Sequence, residues 1–301
     1  RDLAPGEWTA IPVPSSFSLA ASRLGWPIES TLCLGLHAAP LTRLRPHLAP
    51  GHRMILLMRD GAAVAEAARY LTALGFGESR LWVLEALGGP RERVTSARAD
   101  DLRGEIAHPV ALAVDVAGPG RVIPRCSGIE DDFFATDGQI TRRPMRALAL
   151  SALAPRSGET LWDIGGGSGS IGIEWMRAHP GCRAIAIEGH AERQRFIEHN
   201  RDALGVPGLQ LVAGRAPEAL AGLAAPDAVF IGGGVTVPGV LDADTTRQLV
   251  EGIGERKVSV IGLPGALTAA VITVCVILTL ALGIVPSWGL DLTEITSGFL
   301  Y

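Results

Sequence analysis

The stretch Leu161-Trp162-Asp163-Ile164-Gly165-Gly166-Gly167-Ser168-Gly169-Ser170-Ile171 decides how the rest of the chain is read. Its first four residues set apolar side chains around one acid, the composition of a buried strand that delivers the Asp163 carboxylate to the carboxyl edge of a sheet. A glycine turn follows, then Gly169 to Arg177, where Ile171, Ile173, Trp175 and Met176 form an apolar helical side. Strand, glycine loop and helix in this order suit a nucleotide-like ligand, because glycine lets backbone approach closely and a helix start presents unpaired N–H groups. A dinucleotide fingerprint wants glycine at the first, third and sixth places. Counted from Gly165, glycine falls at the first, third and fifth, and the sixth place is Ser170. A purely structural turn is the alternative.

Downstream, Arg183 to Glu188 is a short apolar run that ends on a carboxylate about twenty residues past the loop, where such folds bond a ribose diol. An ordinary surface acid at a strand end is the competing account of Glu188. The alternation continues with a helix over Ala191 to Leu204, a strand over Leu209 to Ala213 and a strand from Asp227 to Gly234 that ends in glycines. A helix is expected over Arg143 to Ala154, with Thr141 ahead of it as a possible N-cap. His190 and His199 read as surface or helix histidines.

The pattern acid-x-Gly-x-Gly-x-Gly resembles motif I of the Rossmann-like S-adenosylmethionine (SAM) methyltransferases. That resemblance implies that Asp163 and the loop residues Gly165, Gly166, Gly167, Ser168 and Gly169 hold the methionine end of SAM, with Glu188 on the ribose. A second resemblance rests on the wording of the first half: Pro14-Ser15-Ser16-Phe17-Ser18-Leu19-Ala20-Ala21-Ser22-Arg23-Leu24-Gly25-Trp26-Pro27, then Leu34-Gly35-Leu36-His37 and Leu87-Gly88-Gly89-Pro90-Arg91-Glu92-Arg93. These words, with Gly128 to Thr141 and Arg142 to Leu148 further on, resemble the precorrin-6Y C(5,15)-methyltransferase family of cobalamin synthesis. The family resemblance implies that Thr141 and Ala216, in Gly214-Arg215-Ala216-Pro217-Glu218, touch SAM. It also implies a precorrin substrate methylated at C-5 and C-15, with loss of carbon dioxide from the C-12 acetate.

The resemblance further implies α/β architecture throughout: a Rossmann-like SAM-methyltransferase domain preceded by the second half of a tetrapyrrole methyltransferase domain, whose opening strand and cofactor loop are not found before Arg1. In that half, helices are expected over Ser16 to Leu24, Leu41 to Leu48 and Ala62 to Leu74. Strands are expected over Thr31 to Leu36, Met54 to Met58, Arg80 to Leu84 and Val110 to Val114. Ser15, Ser16 and the strand end near Met58 would form one wall of a site; Ser15 and Ser16 also suit a helix cap. The expected organisation is a partial tetrapyrrole (corrin) methyltransferase domain at 1–117, a Gly/Pro-bearing linker at 118–137, an incomplete decarboxylating SAM-methyltransferase domain at 138–240 and an apolar tail at 241–301.

Composition adds bounds. The chain has 301 residues, a formal net charge of −4 and 48% apolar residues, which fits a soluble cytoplasmic enzyme and gives no reason to expect nucleic acid. Cys33, Cys126, Cys182 and Cys275 are too scattered for a metal site or a redox pair. No signal peptide is read at the start. Nearly every basic residue is arginine, and Arg142, Arg143, Arg146 and Arg215 are candidates for the carboxylates of the substrate. From Val258 to Leu290 no residue is charged, and 263–285 is long enough for a transmembrane helix bracketed by Pro264 and Pro286. Arg256 and Lys257 before it place the amino side in the cytoplasm. Residues 271 to 286 weakly resemble the last helix of a membrane subunit of proton-pumping NADH:quinone oxidoreductases, which suggests two joined coding segments. The partners considered are therefore a precorrin, a membrane through 263–285 and a second copy of the chain. Two alternatives stay open: a SAM methyltransferase acting on another small molecule or a protein, and an inactive membrane-tethered fusion.

Overall fold

The computed structural model describes residues 11–232 and the backbone of a short strand at Lys257–Ser259, together with a few isolated positions before residue 11. The expected transmembrane helix at 263–285 lies outside the described residues. Among the described residues no helix is long and apolar enough to cross a membrane.

The first half is built on one mixed five-stranded sheet. Helix α1 (Ser16–Leu24) starts on Ser15, whose hydroxyl accepts the Ser18 N–H at 3.1 Å, and stops at Gly25 in the left-handed region with φ 65°. Then come β1 (Leu32–Gly35), β2 (Arg53–Leu57), α2 (Gly61–Ala73), β3 (Arg80–Glu85), β4 (Arg93–Arg98) and β5 (Val110–Asp115). Their spatial order is β1-β2-β5-β3-β4. β1 and β2 are parallel, and the β2–β5, β5–β3 and β3–β4 pairs are antiparallel. Strand period two sorts the side chains. Met54, Leu56, Leu112 and Val114 face α2 in the main core, while Ile55, Ala111 and Ala113 face α1 and Trp26.

Two elements differ from the sequence expectation. Leu41–His47 is a 3-10 turn, because Pro46 inside it has no N–H for an α-helical bond. Strand β4 carries no apolar alternation and is almost wholly exposed, so its only signal is its pairing along β3.

The second half has helix α3 (Arg143–Leu153), then β6 (Thr160–Ile164), α4 (Ser170–Ala178), β7 (Arg183–Glu188), α5 (Ala191–Ala203), β8 (Gln210–Ala213), β9 (Ala228–Ile231) and β10 (Lys257–Ser259). All five strands are parallel, in the order β10-β9-β6-β7-β8. Parallel strands buried on both faces read as continuous apolar runs, as β6, β7 and β9 do. Leu161, Ala184, Ala186, Ala228 and Phe230 pack toward α3, α4 and α5. Trp162, Ile185, Ile187, Val229 and Ile231 face the other way, against Ala216, Ala219 and Leu220.

Residues between the two sheets are structural. Ile123, Ile129 and Phe134 are buried in the second core. Glu174 of α4 accepts the backbone N–H groups of Gly128 at 2.6 Å and Ile129 at 3.1 Å. The same carboxylate accepts Arg146 Nε at 2.5 Å.

Candidate functional site

β6 and β7 are adjacent and parallel, so their last residues and the loops after them share the carboxyl edge of the sheet. That edge brings together Asp163, the Gly165–Gly169 loop, Glu188 and, after β8, the segment with Ala216.

Asp163 is buried beneath the loop, and its Oδ2 accepts the Gly172 N–H at 3.0 Å. It thereby satisfies one of the free N–H groups in the first turn of α4. Burial pushes this carboxyl up to about 7; the Gly172 hydrogen bond opposes the rise and the nearby Glu188 charge adds to it. Gly165, Gly167 and Gly169 all lie at positive φ, 71°, 58° and 76°. Side chains are excluded elsewhere by contact: a Cβ on Gly166 would stand 3.3 Å from that of Ala186.

Glu188 holds the loop from the other side. Its Oε2 accepts the Gly167 N–H at 2.9 Å and its Oε1 accepts the His190 N–H at 2.8 Å. The peptide frame is fixed as well, since the Gly165 and Gly166 N–H groups donate to the Ile187 carbonyl at 2.9 and 3.1 Å. A carboxylate oxygen accepts more than one hydrogen bond, so each keeps an acceptor direction. The Ser168 hydroxyl is buried and has no hydrogen-bond partner among the described residues.

Thr141 stands before α3, but the helix N-cap is Arg142 and no side chain caps it. The Thr141 carbonyl instead accepts Arg146 Nη1. The chain just before it passes over the loop, with the Gln139 carbonyl 4.0 Å from where a Gly167 Cβ would be. Ala216 packs on the Trp162 face of the sheet. Arg215 lies across the peptide after Glu188; a Cβ on Gly189 would come within 2.7 Å of its Cγ.

The arginines separate. Arg146 is fully buried and bound to Glu174, Asp131 and two carbonyls, so it is not available to a substrate. The helical periodicity of α3 turns it inward with Ala149, Leu150 and Leu153. Arg142 and Arg143 stay exposed, 3.6 Å from Asp131 and 4.0 Å from Glu130.

Sequence reasoning missed Asn200, which is fully buried on α5. Its Nδ2 donates to the carbonyls of Ser168 and Ala135, and its Oδ1 accepts the Ala135 N–H, all at 2.8 Å. A lone asparagine in a polar helix carries no signal of this; only the convergence of loop and connecting segment on one helix face creates it.

In the first half, Ser16 and Met58 line one cavity of about 220 Å³ with His37 and His108. Among the described residues no group of His, Cys, Asp and Glu could hold a metal ion.

A parallel sheet with a buried acid under a positive-φ glycine loop, clamped by a second strand-terminal acid, defines a Rossmann-like methyltransferase domain, here joined to a mixed α/β domain. Residues 132–254 match the precorrin methyltransferase domain model, and residues 2–103 match the tetrapyrrole (corrin/porphyrin) methylases. The chain is 52% identical to a precorrin-6Y C(5,15)-methyltransferase [decarboxylating] of Sinorhizobium sp over 246 residues, 81% of this chain and 60% of the relative. It belongs to the precorrin-6Y C(5,15)-methyltransferase family. The relative of the same name in Mycobacterium tuberculosis is 42% identical over 78% of this chain and 59% of its own length. The chain thus spans about 60% of the length of these curated relatives. The solved C-terminal domain of the Rhodobacter capsulatus precorrin-6Y C5,15-methyltransferase is 43% identical, covering 53% of this chain and 81% of that one, with a TM-score of 0.42.

Proposed function

We propose that residues 138–240 bind SAM at the glycine loop and methylate precorrin-6Y at C-15 with decarboxylation of the C-12 acetate, and that residues 1–117 contribute to methylation at C-5. The observation that carries this reading is the Glu188 carboxylate closing on Gly167, which makes the loop and the second strand end one ligand-facing unit.

The residues suit the cofactor. Among the described residues, two carbonyl oxygens stand 3.9 and 4.0 Å from where a Gly167 Cβ would be, which leaves room beside the loop. The buried Ser168 hydroxyl lacks a partner among the described residues, and the free acceptor directions of Glu188 match a ribose diol. Ala216 offers an apolar wall suited to a flat base. When bound, SAM supplies an electrophilic methyl group on a sulfonium.

The chain contributes position. The loop, Asp163 and Glu188 fix one reactant, and rigid alignment with a ring carbon supplies most of such a rate. No side-chain base is required when the attacking carbon belongs to an electron-rich conjugated ring. Arg215 at the site edge, Arg142 ahead of α3 and Arg143 at its first position are the candidates to pair bidentately with substrate carboxylates.

Calorimetric titration of the detergent-solubilised chain with SAM tests the first step, with Glu188→Ala alongside. Saturable binding weakened by the substitution supports the reading, and a tetrapyrrole absorbance change on adding precorrin-6Y then tests the substrate. A folded chain that does not bind SAM overturns it.

The uncharged run from Val258 to Leu290 supports a membrane contact through 263–285 with the methyltransferase part on the cytoplasmic side. Liposome flotation, compared with a chain ending at residue 260, tests this, and sedimentation of the same sample checks self-association.

A further inference from the structure

The seam between the two halves gathers more positive charge than its acids match. Gly205, after α5, presses on Pro46, with a Cβ there only 2.4 Å from the ring, so the first half's 3-10 turn and the second half's helix meet closely. Beside this contact a cavity of about 510 Å³ opens where β2 begins and β5 ends. Its polar lining is Ser30, His47, His52, Arg53, Asp115 and Arg125. Asp115 is the one acid in the lining, and it already lies 3.1 Å from Arg53 Nε. His47, His52 and Arg125 make no ion pair among the described residues.

Two further arginines, Arg45 two residues before His47 and Arg177, whose charge acts on His47, make no ion pair among the described residues. Arg45 is 6% exposed; its Nη2 donates to the Arg121 carbonyl at 2.8 Å, while its Nη1 is buried with no partner. Arg177, in the last turn of α4, donates to the carbonyls of Leu204 and Pro124, both at 3.0 Å. The groups feel one another. Burial lowers His47 first, and Arg125, Arg177, His52 and Arg43 lower it further. Burial lowers Arg177 to about 10, Glu174 pulls it back up, and Arg45 and Arg125 push it down.

Arg125 and His52 are exposed and His47 is half-buried, so all three present donors to the cavity that no carboxylate among the described residues already holds. We propose that this seam cavity binds a small free oxyanion with two or more negative charges, a di- or tricarboxylate or a phosphate, held by His47 and His52 of the first half and Arg125 of the connecting segment. A guanidinium bonds such oxygens through charge-assisted hydrogen bonds, and an imidazole N–H donates to them as well. The volume lies within the range of small-ligand cavities. This site is separate from the glycine loop: Arg177 lies in the last turn of α4, Gly169 is the N-cap at the other end, and a nine-residue helix is about 13 Å long.

The test uses the full chain in detergent, titrated calorimetrically and melted thermally with pyrophosphate, with citrate, and with sodium chloride at matched ionic strength. Arg125→Ala and His47→Gln are compared, because Arg125 is exposed and His47 half-buried and both variants should keep the far-UV spectrum of the parent. The expected result is saturable binding of at least one polyanion, a rise in Tm beyond the chloride control, and about tenfold weaker affinity in each variant. Preference between pyrophosphate and citrate tells which anion class the site takes. Absence of saturable binding beyond chloride, or unchanged affinity in both folded variants, overturns the proposal. SAM binding, titrated separately, is expected to be the same in all three proteins, so failure of the methyltransferase reading would leave this result readable.

Discussion

Both sheets end strands on buried acids, but the acids hold different things. Glu85 closes β3 in the first sheet and meets the Arg93 guanidinium at 2.6 and 2.7 Å, with the Ala107 N–H at 2.6 Å. The Arg93 guanidinium beside it holds this carboxyl below the usual range. Asp163 and Glu188 close β6 and β7 in the second sheet and meet backbone N–H groups. The contrast teaches that burial of a strand-end carboxylate does not by itself mark a site; the partner does. A guanidinium neutralises the charge and fills the acceptor positions, whereas one peptide N–H per oxygen leaves capacity for a ligand.

The largest expected effect extends the guanidinium type of pairing into the second half. Glu174→Ala removes the carboxylate that binds buried Arg146 and two connecting-segment N–H groups, and should cost about 3–5 kcal/mol. Urea denaturation checks it, and a loss below about 1 kcal/mol would show that Asp131 alone satisfies the arginine.

Asp163 gives the next effect, and its sign separates it from Glu85. Its folded value of about 7 lies above the ordinary 3.8, so the folded state binds the extra proton between them. The contribution of Asp163 should therefore be fully present below pH 4, decline as pH rises toward 7 and level off above it, by roughly 4 kcal/mol in all. Asp163→Asn, which keeps an acceptor for Gly172, should remove this slope; parallel pH–stability curves for the two proteins would break the comparison. Glu85, held low, should contribute in the opposite direction, with stability present at neutral pH and lost as pH falls.

A pair of substitutions then tests the contrast directly. Glu85→Ala should lower stability by about 2 kcal/mol through lost hydrogen bonds and leave SAM affinity unchanged. Glu188→Ala should weaken SAM binding by about tenfold or more with a smaller change in stability. Equal effects of the two on SAM affinity would erase the distinction drawn between the sheets. The smallest effect is Gly167→Ala: among the described residues the new Cβ meets nothing closer than a carbonyl oxygen at 3.9 Å, so the cost is that of the positive φ, about 1–2 kcal/mol, read as a drop in Tm.

Much of the second half was legible because its strands are short apolar runs with glycine punctuation. β7 is observed over Arg183–Glu188, as read, and α3, α5 and β8 differ from the reading by a residue at one end. β4 was not legible, since an exposed edge strand has no buried face to impose alternation. The helix expected at Leu41 to Leu48 tightened to a 3-10 turn at Pro46. Arg146 was read among the candidate substrate-binding arginines because arginine pairs bidentately with carboxylates. Only the arrival of Glu174 from α4 and the carbonyls of Ile129 and Thr141 makes its burial tolerable.

The sequence by itself determined the alternation of strands and helices, the order acid, glycine loop, acid, and the family whose wording the chain carries, because these depend on neighbours along the backbone. Tertiary structure alone decided which acids keep free acceptors, that Asn200 staples the loop, and that His47 and His52 of the first half face one cavity with Arg125 of the connecting segment. These last features arise between residues distant in the chain, where partner and burial are set by packing of elements and by no local pattern.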